Sequence, residues 1–267
     1  MKFFNFEGIE KTIHFLTGLT IAFIVLIFVL WQLFLGTHGI DLYLNTLTVL
    51  AAGAALWSSL QVMKKQKMIL YRLLKTSWFY ISLGLSFWLI AETLWLAYIL
   101  FLGEPLKLST ADIAWTLGYF FVFLGLYKGI KPISSILKSS GLSSRMKLAY
   151  TIPLALGALL IALALAEVPE AIEEEGLITV FIDTSYVILD LLLLTLSIES
   201  VLFFYRSKIT KGLYVFSIGL LLLTISDLPY FTIGGYYPGN LLDLLYVISY
   251  VVMAAGIYSY SRQPPVV

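Results

Sequence analysis

The sequence predicts an all-α integral membrane protein of eight transmembrane helices, built as two parallel four-helix repeats with both termini cytoplasmic. The first ground is composition: of 267 residues, 60% are hydrophobic and 12% charged, far from the roughly half-apolar, quarter-charged balance of soluble domains. The second is where the charges fall, since lysine and arginine cluster between alternate apolar runs. The third is an internal duplication. Asp112-Ile-Ala-Trp115-Thr-Leu-Gly118-Tyr119 returns as Asp243-Leu-Leu-Tyr246-Val-Ile-Ser249-Tyr250. The match runs on without a gap to Gly125, Tyr127 and Lys131 in one copy and Gly256, Tyr258 and Arg262 in the other.

Each apolar run is taken in turn. Residues 1–14, with Lys2, Glu7, Glu10 and Lys11, read as a short amphipathic cytoplasmic lead-in. The first run, 15–35, matches the roughly 20 residues needed to cross about 30 Å of hydrocarbon. It is too long for a signal-peptide core and lacks a small-residue cleavage site, so it should remain as a helix. Further spans are expected at 42–63, 77–101, 111–127, 148–166, 177–204, 212–231 and 240–259.

Orientation follows from the basic loops, which belong on the cytoplasmic side. Lys64, Lys65, Lys67, Arg72 and Lys75 follow the second span; Lys128, Lys131, Lys138, Arg145 and Lys147 follow the fourth; Arg206, Lys208 and Lys211 follow the sixth. Lys107 is the basic residue left outside, where the acidic run Glu167, Glu170, Glu173, Glu174 and Glu175 also falls. Eight spans with both ends inside satisfy every loop.

The duplication extends upstream. Ser82-Leu-Gly84-Leu precedes Glu92 as Ser217-Ile-Gly219-Leu precedes Asp227, with ten residues from serine to acid in each case. Spans three and four therefore match seven and eight, giving a first half at 15–131, a serine-rich cytoplasmic linker at 132–146, a second half at 147–262 and a tail at 263–267. An even number of spans per half makes the repeats parallel rather than inverted.

The intramembrane acids carry a second regularity. Glu92 is followed three residues on by Trp95, Asp112 by Trp115, Asp183 by Tyr186, Asp227 by Tyr230 and Asp243 by Tyr246. Tyr119, Asp190 and Tyr250 lie seven residues after Asp112, Asp183 and Asp243. Positions 0, 3 and 7 of a helix fall within about 60° of arc, so acid and aromatics share a face. Gly118 with Gly125, and Ser249 with Gly256, lie on another face, where small residues allow close helix packing.

Two readings of these acids stand side by side. Asp112, Asp183 and Asp243 sit near helix N-termini, where a carboxylate caps free amides and complements the dipole. Glu92 and Asp227 lie toward C-terminal ends, where the dipole disfavours them, and Asp190 lies deeper still, where a bare charge costs several kcal/mol. No lysine or arginine lies inside a span to neutralise them. The expected site is thus an acidic-aromatic pocket in the outer half of the membrane. It is formed by Glu92, Asp112, Asp190, Asp227 and Asp243, with Trp95, Trp115, Tyr119, Tyr186, Tyr246 and Tyr250. Its ligand would be a small molecule or a cation, the latter held by carboxylates and aromatic faces together. The bland alternative is a set of protonated acids hydrogen-bonded to tyrosines. Glu199, near Arg206, reads as a solvated or snorkelling ion pair, and His14 and His38 as surface or interfacial residues on opposite sides.

Other chemistries find little support. With no cysteine and two histidines on opposite sides, thiolate sites, disulfides and paired-histidine hydrolase centres are excluded. No Asp-x-x-x-Asp diphosphate motif, phosphate loop or intramembrane-protease Gly-Asp motif occurs, and no lysine is placed to hold retinal. Nucleic-acid binding is excluded by the absence of a basic surface. No cofactor is expected, and which metal, if any, the acids would hold is left open. Scarce asparagine and glutamine would suit a thermophilic source, although membrane composition also depletes polar residues.

The segment from Glu92 through Gly103-Glu104-Pro105 and Ser109-Thr-Ala-Asp112-Ile-Ala-Trp115-Thr-Leu-Gly118-Tyr119 resembles the multi-pass sensory membrane domains found ahead of histidine kinases and diguanylate cyclases. Those domains often carry an Asp-x-x-aromatic-x-x-Gly-Tyr signature after a polar loop. The resemblance implies a non-enzymatic sensor. It departs from such receptors after Tyr258, where nine residues remain and no output domain follows, so a signal would require a separate partner. The alternatives are a cation- or proton-coupled transporter using the same acids and a lipid-modifying enzyme with an outward carboxylate site.

Overall fold

The computed structural model describes residues 4–35, 39–64, 69–103, 109–137, 177–204, 211–227 and 239–263, together with Thr151, Pro153, Ala155, Ala158 and Leu159. Among the described residues the chain forms seven helices: α1 (Phe4–Leu35), α2 (Ile40–Lys64), α3 (Ile69–Leu102), α4 (Thr110–Leu137), α5 (Leu177–Phe204), α6 (Lys211–Asp227) and α7 (Leu241–Arg262). Six of them contain stretches long and apolar enough to cross a bilayer: Gly8–Leu35, Ile40–Lys64, Lys75–Leu102, Thr110–Lys131, Val180–Leu202 and Leu241–Arg262. The protein is a multi-pass helical membrane protein. The expected span at 148–166 lies outside the described residues, apart from the positions named above. So does the end of the expected span at 212–231, of which the described part closes at Asp227.

Two helices run past the ends of the spans expected from the sequence. The lead-in is continuous with the first span, because α1 begins at Phe4. The expected linker begins as helix, because α4 runs on through Pro132 to Leu137. Ile130, Ile133, Ile136 and Leu137 continue the three-and-four spacing of a helical apolar face, which outweighs the backbone hydrogen bond that Pro132 cannot donate.

The helices pack in a cycle: α2 on α3, α3 on α4, α4 on α5, α5 on α6, α6 on α7, and α7 back on α2. α1 lies outside the cycle, mainly against α7. The interior is filled by Trp78, Trp88, Phe216, Tyr250 and Tyr260 with Leu85, Leu193, Leu220 and Leu223. Phe15, Leu19, Phe23, Leu26, Leu30 and Leu33 are exposed along α1, the apolar outer surface that lipid, but not water, accommodates.

The α3–α4 and α6–α7 contacts are close because small residues face backbone. A Cβ on Gly84 would stand 2.8 Å from both the Gly118 carbonyl oxygen and the Val122 amide nitrogen. A Cβ on Gly219 would stand 2.9 Å from the Ser249 oxygen and 2.7 Å from the Met253 nitrogen. These are the positions that the sequence alignment pairs with each other. Farther along, Gly125 and Gly256 meet Ile81 and Phe216 in the same way, and Ser77 Oγ donates to the Gly125 carbonyl at 2.7 Å. Such contacts gain dispersion and remove the gap that larger side chains would force between helices. They hold the stretches of α3 and α6 that lead to Glu92 and Asp227 against α4 and α7.

Candidate functional site

Glu92 stands ten residues from the C-terminal end of α3 and is 3% exposed. Its Oε1 accepts three hydrogen bonds, each 3.0 Å long: from Trp115 Nε1 on α4, and from the hydroxyls of Tyr246 and Tyr250 on α7. Tyr246 and Tyr250 reach the same oxygen because residues four apart lie above one another on a helix face. Hydrogen bonds to an ionised group contribute about 1.5–3 kcal/mol each, so three donors on one oxygen offset part of the cost of burying a carboxylate.

A second centre forms around Tyr119 of α4. Its Oη lies 2.6 Å from Asp190 Oδ1 on α5 and 2.7 Å from Asp227 Oδ2 at the end of α6. Asp190 is fully buried, and its Oδ2 has no hydrogen-bond partner among the described residues. Asp227 remains partly exposed. The donor balance is therefore opposite to that at Glu92: there, three donors serve one acceptor oxygen, whereas here one hydroxyl serves two carboxyl groups.

Trp88 joins the two centres. Its ring meets Tyr119 edge-on at 5.4 Å and Tyr250 at 6.2 Å between centroids, and it is 1% exposed. The acid-aromatic pattern looked three residues forward of each acid and so passed over this residue. The signal was there, since Trp88 lies four residues before Glu92, one turn back on the same face.

The remaining expected site residues divide. Trp95 stacks at a tilt on Trp115, centroids 5.4 Å apart. Asp112 acts at the start of α4, where its Oδ2 accepts from Ser109 N at 2.7 Å and Ser109 Oγ at 2.9 Å. Its Oδ1 also accepts from the Tyr186 hydroxyl of α5 at 3.1 Å, and Tyr186 in turn packs on Tyr119. Asp112 thus combines a capping role with a link into the network. Asp243 fixes the turn before α7, its Oδ2 accepting from Gly239 N at 2.6 Å. The side chain of Asp183 lies outside the described set.

Outside this region, Glu199 is buried, 5% exposed, so it is not solvated, and Arg206, the partner expected for it, lies outside the described residues. It shares a buried face of α5 with Leu196 and Ser200. His14 lies 3.4 Å from Glu10, which also pairs with Lys211 at 2.9 Å and ties α1 to α6. His38 is not among the described residues. No cluster of three or more acids or histidines placed to hold a metal occurs among the described residues.

Comparison with protein-family models, with curated proteins and with solved structures returns no match.

Proposed function

We propose that this multi-pass membrane protein is of sensor or ligand-binding type, and that the carboxyl–aromatic network joining α3, α4, α5, α6 and α7 is its responsive site. The observation that carries the reading is a reciprocal pair of bonds. Tyr250 of α7 donates to Glu92 of α3, and Tyr119 of α4 lies against Asp227 of α6. Under the sequence duplication Tyr250 is the counterpart of Tyr119 and Glu92 of Asp227. Each tyrosine of one half therefore reaches the acid of the other. We read the chain as two four-helix repeats clasped through these exchanged bonds, with the acid-bearing end in the outer leaflet, as the distribution of lysine and arginine favours.

A clasp of this kind is a natural switch. A cation or polar ligand competing for either carboxyl replaces a bond between the halves with one to itself, and so biases their packing by its differential affinity for the two arrangements. The surrounding Trp95, Trp115 and Tyr246 rings favour a positively charged ligand.

The test uses full-length protein in lipid nanodiscs. Intrinsic fluorescence and thermal unfolding are followed against a panel of inorganic and quaternary-ammonium cations, in wild type, Glu92→Gln and Asp227→Asn. A saturable change abolished in both variants is expected. A flat wild-type response across the panel, or an equal response in both variants, would rule the reading out.

A further inference from the structure

The contacts at Tyr119 do not close on hydrogen count. A tyrosine hydroxyl has one proton and donates one hydrogen bond, yet Tyr119 Oη stands within 2.7 Å of carboxyl oxygens from two different aspartates. Two anionic carboxylates would leave one of these short contacts as oxygen against oxygen with no hydrogen between. The pattern closes when one aspartate carries a proton and donates it to Tyr119, while Tyr119 donates to the other.

Two such arrangements exist. In one, Asp227 donates to Tyr119 and Tyr119 to Asp190; in the other, the direction is reversed. They interconvert when the proton on Asp227 Oδ2 passes to Tyr119 Oη as the tyrosine proton passes to Asp190 Oδ1. No heavy atom need leave its place. The net result is transfer of one proton from Asp227 to Asp190 and of one negative charge in the opposite direction.

The two ends of this chain differ in access. Asp227 is partly exposed at the end of α6, whereas Asp190 is fully buried and holds one carboxyl oxygen with no partner among the described residues. An unpartnered buried oxygen is costlier on an anion than on a neutral acid, so a proton arriving at Oδ1 lowers the cost of leaving Oδ2 without a donor. Among the described residues, the ionisable groups around the pair are Glu92 on α3, Tyr186 on α5, and Tyr246 and Tyr250 on α7, with Asp112 of α4 behind Tyr186, and none of these is a cation. Glu92 already receives three donors on Oε1.

From this geometry we infer that Asp227, Tyr119 and Asp190 form a proton relay, with Asp227 as the entry and Asp190 as the interior acceptor. The inference rests on reading the network as a functional site and names the proton as its ligand.

The experiment is infrared difference spectroscopy on the full-length protein in phosphatidylcholine nanodiscs with no added ligand, following the C=O stretch of protonated carboxyl groups through pH steps and after transfer to D2O. Wild type is expected to give an exchangeable carboxylic-acid band that is lost in Asp190→Asn and in Asp227→Asn. Tyr119→Phe should keep an acid band but slow its exchange on the order of 100-fold. Should the asparagine variants fail to fold, wild type labelled with 13C at the aspartate carboxyls supplies the assignment, because the band must then shift. Absence of the band in wild type, a band unmoved by the label, or exchange in Tyr119→Phe at the wild-type rate would overturn the relay. The cation panel can fail while this band persists, and the reverse, so the two readings fall separately.

Discussion

Trp88 of α3 and Gly118 of α4 occupy one shared space: a Cβ on Gly118 would stand 2.5 Å from Trp88 Nε1 and closer still to Cδ1. The Trp88 ring cannot give way freely, because its edges rest on Tyr119 and Tyr250. Gly118→Ala is therefore expected to lower stability by about 1–3 kcal/mol, the usual cost of overpacking, and to shift the tryptophan emission. Gly8 of α1 meets nothing within 4 Å, so Gly8→Ala should be neutral or stabilising by up to about 1 kcal/mol through helix propensity. Thermal unfolding of both variants in the same nanodiscs checks the contrast, and equal behaviour would contradict the packing described.

Much of this was legible in the sequence. Small residues seven apart marked the tight face of α4 and α7, because close approach needs glycine or serine at each turn of the contact. The acids and tyrosines declared a common face because helical period alone decides it. Period does not say which helix lies opposite. Glu92 is bonded not by Trp95, its own neighbour, but by Trp115, Tyr246 and Tyr250 from two other helices. Trp95 serves as a stacking surface for one of those donors. Glu199 shows the same limit: its place near the end of a span suggested contact with solvent, and its side chain is buried, while Arg206, the partner expected for it, lies outside the described residues. Asp112 was read as either cap or site, and the two roles are compatible, because its two oxygens face different partners.

The three donors on Glu92 should be energetically coupled. Tyr250→Phe removes one charge-assisted bond and is expected to cost about 1.5–3 kcal/mol. In a Glu92→Gln background the acceptor is neutral and the same substitution should cost less, with a coupling between about 0.5 and 3 kcal/mol in the double-mutant cycle. Chemical or thermal unfolding of the four proteins measures it. Additive effects would mean that Tyr250 contributes by packing on Trp88 and Tyr246 alone.

At the entry to α7, Asn240 caps the helix, its Oδ1 accepting from Leu242 N at 2.6 Å, with Asp243 N at 3.4 Å. Asn240→Ala should cost about 1 kcal/mol, as loss of an N-cap usually does. Gly239→Ala should cost more, because Gly239 has φ +81° and a Cβ there would run into Ile40 of α2. It would also disturb the Gln32 side-chain bond to the Gly239 carbonyl, 3.0 Å long, that ties α1 to this turn. The ordering of the two melting temperatures is the readout, and a Gly239→Ala protein as stable as Asn240→Ala would contradict it.

The orientation proposed from the basic loops can be tested without altering a native thiol, since the chain has no cysteine. Lys75 and Leu102 are both exposed and lie 27 positions apart on α3, which at 1.5 Å per residue is about 40 Å, enough to place them on opposite sides of a bilayer. Leu102→Cys, at the acid-bearing end, should react with a membrane-impermeant maleimide in intact cells. Lys75→Cys, and likewise Lys64→Cys and Lys131→Cys, should react only after permeabilisation. The reverse pattern would put the carboxyl–tyrosine network in the cytoplasmic leaflet, so that Asp227 would draw its proton from the cell interior. Labelling of Leu102→Cys and Lys75→Cys from the same side would mean that α3 does not cross the membrane. Because positive residues bias insertion by a few short loops near the spans, adding two lysines beside Leu102 should raise the fraction of inverted molecules. The same maleimide assay would count that fraction.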